Sequence, residues 1–357
     1  WMTLAVNSLY RECWMVKHLL KPVMSVCLTA FSLTGGSISE PVEVQTLFGY
    51  AMGTSYSVKL VSTLSESRSL QMGVEGVLAD INGRMSTYLP RSDLSLFSAA
   101  AVNSPVPVDS KTIQVVERAL QIAALTDGYF DPTVAPLVDL WGFGPTARQS
   151  VVPDLVELET LQAKVGYGAL VVDTVAETLS KTAPRALDLS AIAKGYAVDL
   201  VADYLVEQGF SNYLVEVGGE MRFSGTKPDR VAWRIAIENP DSTSRSVFGV
   251  LEMADGAVAT SGDYRNFFEL DGIRYSHTIN PKTGYPVAHD LASVTVVMAL
   301  CIDADAYATA FMAMGKALTL QLAEENNLAV LLIYKDGASF RSVQSSQFTA
   351  QFGLIDI

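Results

Sequence analysis

Cysteine and histidine are scarce in this chain, with three of each among 357 residues. Only Cys301 lies beyond the N-terminal segment that holds Cys13 and Cys27, so a zinc site built from Cys and His is all but excluded. The histidines are His18, His277 and His289, and beyond that segment imidazole chemistry falls to His277 or His289. Positive charge is also short: 25 Lys and Arg against 38 Asp and Glu leave a net charge of −13. That balance argues against nucleic acid, whose binding rests on a basic footprint. An anionic ligand would need a local cation from lysine, arginine or a metal ion. There is no P-loop, no dinucleotide fingerprint in a strand–helix–strand setting, no Gly-x-Ser-x-Gly elbow and no His-Glu-x-x-His. Low-complexity tracts and internal repeats are missing as well.

A long apolar run is missing too. Met15-Val16-Lys17-His18-Leu19-Leu20-Lys21 is a short basic stretch, residues 22–33 are apolar, and residues 34–39 are mostly small. This is the layout of a secretory signal peptide, and its apolar part is too short for an ordinary transmembrane helix. Met15 is the expected start of translation. Residues 1–40 are expected to be a targeting segment and residues 41–357 one catalytic domain, exported to the periplasm. Cys27 raises a lipid anchor to the inner membrane as an alternative, but Val26 before it is bulky where a small residue is expected. A buried hydrophobic N-terminal segment is the other alternative to export.

Residues 55–61 alternate apolar and polar, as a strand does, and Leu70, Val74, Leu78, Ile81 and Met85 then recur at helical spacing. Ile113, Val116, Leu120 and Ala124 form a second helical stripe, closed by Asp127-Gly128. A loop is expected over 141–153 and a polar helix over 153–164. Residues 188–209 predict a helix with Ser190 as N-cap and Gly209 as its stop. Its ridges are Ile192, Tyr196, Leu200 and Tyr204, and Ala193, Ala197, Val201 and Leu205. Strands are expected at 212–217, 221–225, 231–237, 247–253, 265–270, 292–299 and 328–334. Helices are expected at 303–314 and from there to about Asn326. Strands outnumber helices and short turns separate many of them, which favours an α+β fold with a largely antiparallel sheet.

Several segments could carry chemistry. Ser276-His277-Thr278-Ile279-Asn280-Pro281-Lys282-Thr283-Gly284-Tyr285-Pro286 concentrates an imidazole, polar side chains, a lysine and turn residues. Around Asp188, Ser190, Lys194 and Gly195, a helix start with a lysine suits phosphate and Gly195 lets another backbone or a ligand come close, or this is a plain capped helix with a solvated lysine. Asp305 and Thr309 share a face on a helix and could offer oxygens to a hard cation, or could serve the helix end alone. Gly218-Gly219 after a strand permits close approach of a flat ligand, or a bulge. Residues 259–266 read as a small-polar turn in which Arg265 could meet a phosphate or carboxylate. Tyr129, Phe130 and Asp131 could stack a ring or close a helix.

In this order the segments resemble the ApbE family, the FAD:protein FMN transferases. The blocks are Ala51-Met52-Gly53-Thr54, Met85-Ser86-Thr87-Tyr88, Phe130-Asp131-Pro132-Thr133, Leu140-Trp141-Gly142-Phe143-Gly144, residues 188–196, Val217-Gly218-Gly219, residues 260–266, residues 277–286, and Asp305 with Thr309. The resemblance implies an α+β fold related to the tunnelling fold. It implies Mg²⁺, FAD as substrate, and a client flavoprotein that receives FMN on a threonine or serine. It sets Met52, Tyr88, Tyr129, Phe130, Asp131, Asp188, Lys194 and Ile279 around FAD. It makes Asp305 and Thr309 metal ligands with the backbone carbonyl of Ala191, and puts His277 at the reacting centre. Clients in respiratory or ion-pumping complexes, and peripheral membrane association, follow from the same resemblance. An Mg²⁺-dependent FAD pyrophosphatase or a flavin-binding protein without turnover could use the same residues.

Overall fold

Tyr56, Val58 and Leu60 are buried between the more exposed Ser55, Ser57 and Lys59, the period-two pattern of a half-buried strand, β2 (Thr54–Ser62). In this computed structural model, residues 40–146, 151–241, 246–264, 266–337 and 339–352 are described. The expected targeting segment (apart from residue 40), with His18 and Cys27, and Arg265 lie outside the described residues.

Strand β2 pairs with β1 (Glu43–Ala51) through a turn at Met52-Gly53, where φ is positive at both residues. The sheet continues through β6 (Tyr213–Val217), β7 (Glu220–Ser224), β10 (Gly256–Gly262), β13 (Leu291–Met298), β14 (Ala329–Asp336) and β15 (Ser339–Gln344). Its order is β1-β2-β6-β7-β10-β13-β14-β15, and every pairing is antiparallel. One face packs Tyr56, Val58, Val215, Ala257, Val294 and Val296 into a core with the helices α1 (Leu64–Met85), α3 (Ser110–Leu125), α6 (Ala193–Glu207) and α7 (Cys301–Met314). The other face sets Leu214, Phe223, Val258 and Leu331 against Trp233, Ile235 and Leu251 of a ribbon, β8 (Trp233–Glu238) with β9 (Val247–Met253). Phe348 of α9 (Ser346–Gln351) closes that second core.

A satellite cluster joins Leu137 and Leu140 of α4 (Ala135–Leu140), Trp141, Leu158 of α5 (Leu155–Gln162) and Ile279. Helix α2 (Asp93–Ala99) precedes a small sheet of order β3-β5-β4, made of β3 (Val106–Pro107), β4 (Leu170–Asp173) and β5 (Thr178–Lys181). A hairpin, β11 (Phe267–Leu270) with β12 (Ile273–Ser276), and α8 (Lys316–Glu325) complete the strands and α-helices of the described residues. The architecture is the expected α+β with a largely antiparallel sheet.

Local readings hold where periodicity is strong and shift where it is not. Leu70, Val74, Leu78, Ile81 and Met85 are all buried along α1, which Thr63 and Glu66 start with a reciprocal capping box. In α3 the stripe drifts, as a 3.6-residue period requires: Ala119 and Ala123 are buried, while Ala124 faces solvent. Helix α6 starts later than expected, at Ala193, and Ser190 is not its cap. The Ser190 N–H instead donates to Asp188 Oδ1 at 2.8 Å in the preceding turn. Gly209 does end the helix, at φ 91°. The expected turn at 259–266 is strand β10 as far as Gly262, because Ala259 to Gly262 pair with β13. Gly218-Gly219 forms neither a bulge nor a loop but the tight turn of the β6–β7 hairpin, with φ of 63° and 105°.

Candidate active site

Helix α6 and helix α7 meet at Gly195. A Cβ on that residue would overlap the Cys301 carbonyl and the Asp305 side chain, so only glycine admits the two backbones this close. The approach brings Asp305 to the start of α6, where its Oδ2 accepts the N–H of Gly195 at 2.9 Å. Asp305 and Thr309, one turn apart on α7, face the same side as expected, and the Thr309 hydroxyl lies 3.2 Å from Ser261 Oγ at the end of β10.

Lys194, beside Gly195, donates from Nζ to Glu220 Oε1 at 3.0 Å and lies 3.6 Å from Asp305 Oδ1. Burial opposes its charge, but Asp305 and Glu220 more than offset this and hold the ammonium above the ordinary lysine range. Glu220 is only 5% exposed, and its buried Oε2 has no hydrogen-bond partner among the described residues. Burial pushes that carboxyl up, against the pull of Lys194.

The other wall comes from the loop after α3. Asp131 Oδ1 accepts from the Thr133 N–H and hydroxyl at 2.8 and 2.6 Å, and Oδ2 from the Tyr167 N–H at 3.0 Å. Its carboxylate is spent on holding the loop that presents Tyr129 and Phe130, although burial raises its pKa. The Asp188 N–H donates to the Pro132 carbonyl at 2.8 Å, tying this loop to the turn before α6.

The third wall is the segment after β12. Trp141, fully buried, donates from Nε1 to the Gly284 carbonyl at 2.8 Å, and Ile279 pairs with Pro286. His277 is half-buried, with Nδ1 3.0 Å from the Asn266 carbonyl. A carbonyl can only accept, so Nδ1 carries a proton, and in the neutral ring Nε2 is then the nitrogen with the lone pair. Burial holds this imidazole below its ordinary pKa, with the Lys194 charge acting in the same direction. His289 is engaged elsewhere, with Nε2 2.8 Å from the Met312 carbonyl, and does not line the cavity.

These walls enclose a cavity of about 570 Å³, within the range of small-molecule sites. It is lined by Tyr88, Tyr129, Phe130, Asp131, Asp188, Ala191, Lys194, His277, Ile279, Asp305 and Thr309. Met52 is not among the lining residues; it sits on the β1–β2 turn, partly buried against the main core. Glu220, Ser261 and the Asn266 carbonyl lie in segments that the sequence marks, but the sequence assigns none of them a role of its own. The diglycine pointed at Glu220, but a carboxylate after a turn reads as solvated until strand pairing shows which face it takes. Among the described residues, no group of three or more His, Cys, Asp or Glu could hold a metal ion. A cation here would therefore draw on no more than two such side chains, with hydroxyl and carbonyl oxygens making up the rest.

Comparison with known proteins gives one consistent result. The sequence model of the ApbE family matches residues 52–332. An FAD:protein FMN transferase of Vibrio cholerae is 45% identical over 326 residues, 90% of this chain and 97% of that protein. The FAD:protein FMN transferase of Haemophilus influenzae is 39% identical, covering 92% and 97%. Among solved structures, the flavinyl transferase ApbE of Pseudomonas stutzeri in its apo form superposes with a TM-score of 0.81 at 38% identity, covering 87% of this chain and 98% of that one.

Proposed function

The chain belongs to the ApbE family, and from that premise we propose that it is an Mg²⁺-dependent FAD:protein FMN transferase. It moves FMN from FAD to a threonine or serine of a client flavoprotein and releases AMP. The observation that carries this reading is the meeting of Lys194, Asp305, Thr309 and His277 on one cavity. An acidic protein needs such a local cation before it can hold a pyrophosphate.

The oxygens present fit a hard cation. Asp305 Oδ1 accepts no hydrogen bond from the described residues, and neither does the Ala191 carbonyl from the backbone. Asp305, Thr309 and that carbonyl would hold Mg²⁺, which typically takes few protein oxygens and completes its octahedron with phosphate and water. Bound there, the ion would neutralise charge on the pyrophosphate oxygens.

The remaining chemistry falls to the protein's own groups. Tyr88, Tyr129, Phe130 and Ile279 supply apolar surface for FAD. Asp131 and Asp188 hold their loops in place, and Met52 acts from the neighbouring turn. His277 Nε2 takes the proton of the client hydroxyl as its oxygen attacks the phosphorus of the FMN half. The phosphorus–oxygen bond to AMP breaks, and AMP leaves with the electron pair on its phosphate. AMP is a good leaving group, so no strong acid is required. Lys194 offsets the charge that builds on the transferring phosphoryl group.

The basic and apolar layout of residues 15–39 supports export to the periplasm, with attachment to the inner membrane through Cys27 as the variant form. Subunits of respiratory or ion-pumping complexes are the client class that the family resemblance implies. AMP release with FAD, measured with Mg²⁺ or EDTA and with or without a client, tests the reading. Release that needs both Mg²⁺ and client supports it. Equal release without client would assign a pyrophosphatase, and no release with FAD bound would leave a flavin-binding protein.

A further inference from the structure

Phe48 and Tyr50 on β1 are 75% and 87% exposed. Strand pairing shows what they adjoin. Tyr50 pairs with Ser55 and Phe48 with Ser57; Ser57 pairs with Glu216, and Glu216 with Met221. Directly opposed residues point to the same face of a sheet. Phe48, Ser57, Glu216 and Met221 therefore form one row across four strands, and Met221 lines the cavity. A second row runs from Tyr50 through Ser55 to the β6–β7 turn, where the Gly218 N–H donates to the Ser55 carbonyl at 3.0 Å. Gly218 and Gly219 also line the cavity.

The β8–β9 ribbon covers this face over Leu214, Phe223 and Val258. Over β1 and β2, nothing among the described residues covers Phe48, Tyr50, Ser55 or Lys59, all of which are exposed. An uncovered sheet face thus leads from an aromatic pair on an edge strand to the cavity mouth. FAD has no need of it, since the cavity itself has the volume of a ligand site. A protein hydroxyl, by contrast, must arrive from outside, and rigid aromatics are the usual anchors of such contacts.

Resting on the transferase reading, we infer that this face seats the acceptor-bearing segment of the client protein. The segment lies extended across β2, its threonine or serine entering at Gly218-Gly219. An apolar side chain a few positions away sits on Phe48 and Tyr50. The spacing follows from geometry: β1 and β6 are two strand spacings apart, roughly 10 Å, which about three extended residues span. Ser55, Ser57 and Glu216 offer polar contacts along the way, and the Glu216 carboxylate is already fixed by the Gly219 N–H at 2.8 Å.

The test is the double variant Phe48→Ser/Tyr50→Ser, whose side chains are exposed and contribute little to folding. Transfer is measured to an apoflavoprotein domain carrying an acceptor threonine, FAD affinity by flavin fluorescence, and membrane association by co-sedimentation with phosphatidylcholine–phosphatidylglycerol vesicles. The expected result is a KM for the client raised about tenfold or more, with kcat at saturating client and FAD affinity unchanged. An unchanged client KM overturns the inference. If the variant instead loses vesicle binding at an unchanged KM, the face belongs to a membrane contact and the inference is again wrong. A wild-type chain that binds FAD but modifies no client overturns the transferase reading itself. That failure is visible before any variant is compared, and the docking inference falls with it.

Discussion

Asp305 Oδ2 accepts the backbone N–H of Gly195 at 2.9 Å, across 110 residues of sequence. In an uninterrupted helix that N–H would go to the carbonyl four residues back, that of Ala191. The carboxylate of α7 takes it instead, and the Ala191 carbonyl is left without a backbone partner among the described residues. One side chain thus caps α6 and leaves the Ala191 carbonyl open, and Ala191 and Asp305 both line the cavity.

Two substitutions separate these roles. Asp305→Ala leaves a buried N–H unpaired and should destabilise the protein by about 1–3 kcal/mol. Asp305→Asn keeps an acceptor for Gly195, so its melting temperature should stay near that of the wild type. FMN transfer should collapse in both, because both lose the charge. Thermal melts alongside AMP release over a Mg²⁺ titration check this; an Asn variant with full transfer at low Mg²⁺ would remove Asp305 from the metal site.

Gly195→Ala probes the approach of the helices. The new Cβ would press on the Cys301 backbone, which cannot rotate away as a side chain could. Overpacking of this kind costs about 1–3 kcal/mol. Pushing α7 back would also move Asp305 and Thr309, so transfer should fall by more than the loss of folded protein explains. A variant with normal stability and normal turnover would contradict the close approach.

His277→Asn should lower transfer by about 10²- to 10⁴-fold, the usual range for a general base, with FAD affinity nearly unchanged. Burial holds the His277 pKa below 6.5, and the base must be deprotonated to act. kcat/KM should therefore rise with pH through that lowered value and be flat across neutrality. Wild-type transfer by the Asn variant, or a rate still climbing above pH 7, would restrict His277 to positioning.

Much of this was legible before the structure, and the limit is one of range. The buried stripe of α1 and the ridges of α6 repeat every three or four residues, so local spacing suffices to find them. Asp305 with Thr309 is legible for the same reason, and Gly195 was recognisable as a point of close approach. What approaches was not, because Cys301 and Asp305 reach it through tertiary packing. On that account the sequence points to Ser190 as the cap of α6, where tertiary packing supplies Asp305 instead. Strand β1 went unnoticed because its central buried residue, Leu47, stands alone between half-buried and exposed neighbours, which leaves no alternation to read. The sequence marks Glu220 beside the diglycine but not its burial, which depends on pairing with Val217 across the hairpin.

The most direct test of the account is the intact mass of a client flavoprotein domain incubated with this protein, FAD and Mg²⁺, with Asp305→Ala as control. The account predicts a client heavier by one FMN unit, with the increment lost in the control. AMP release with an unmodified client, or no AMP despite bound FAD, would contradict it.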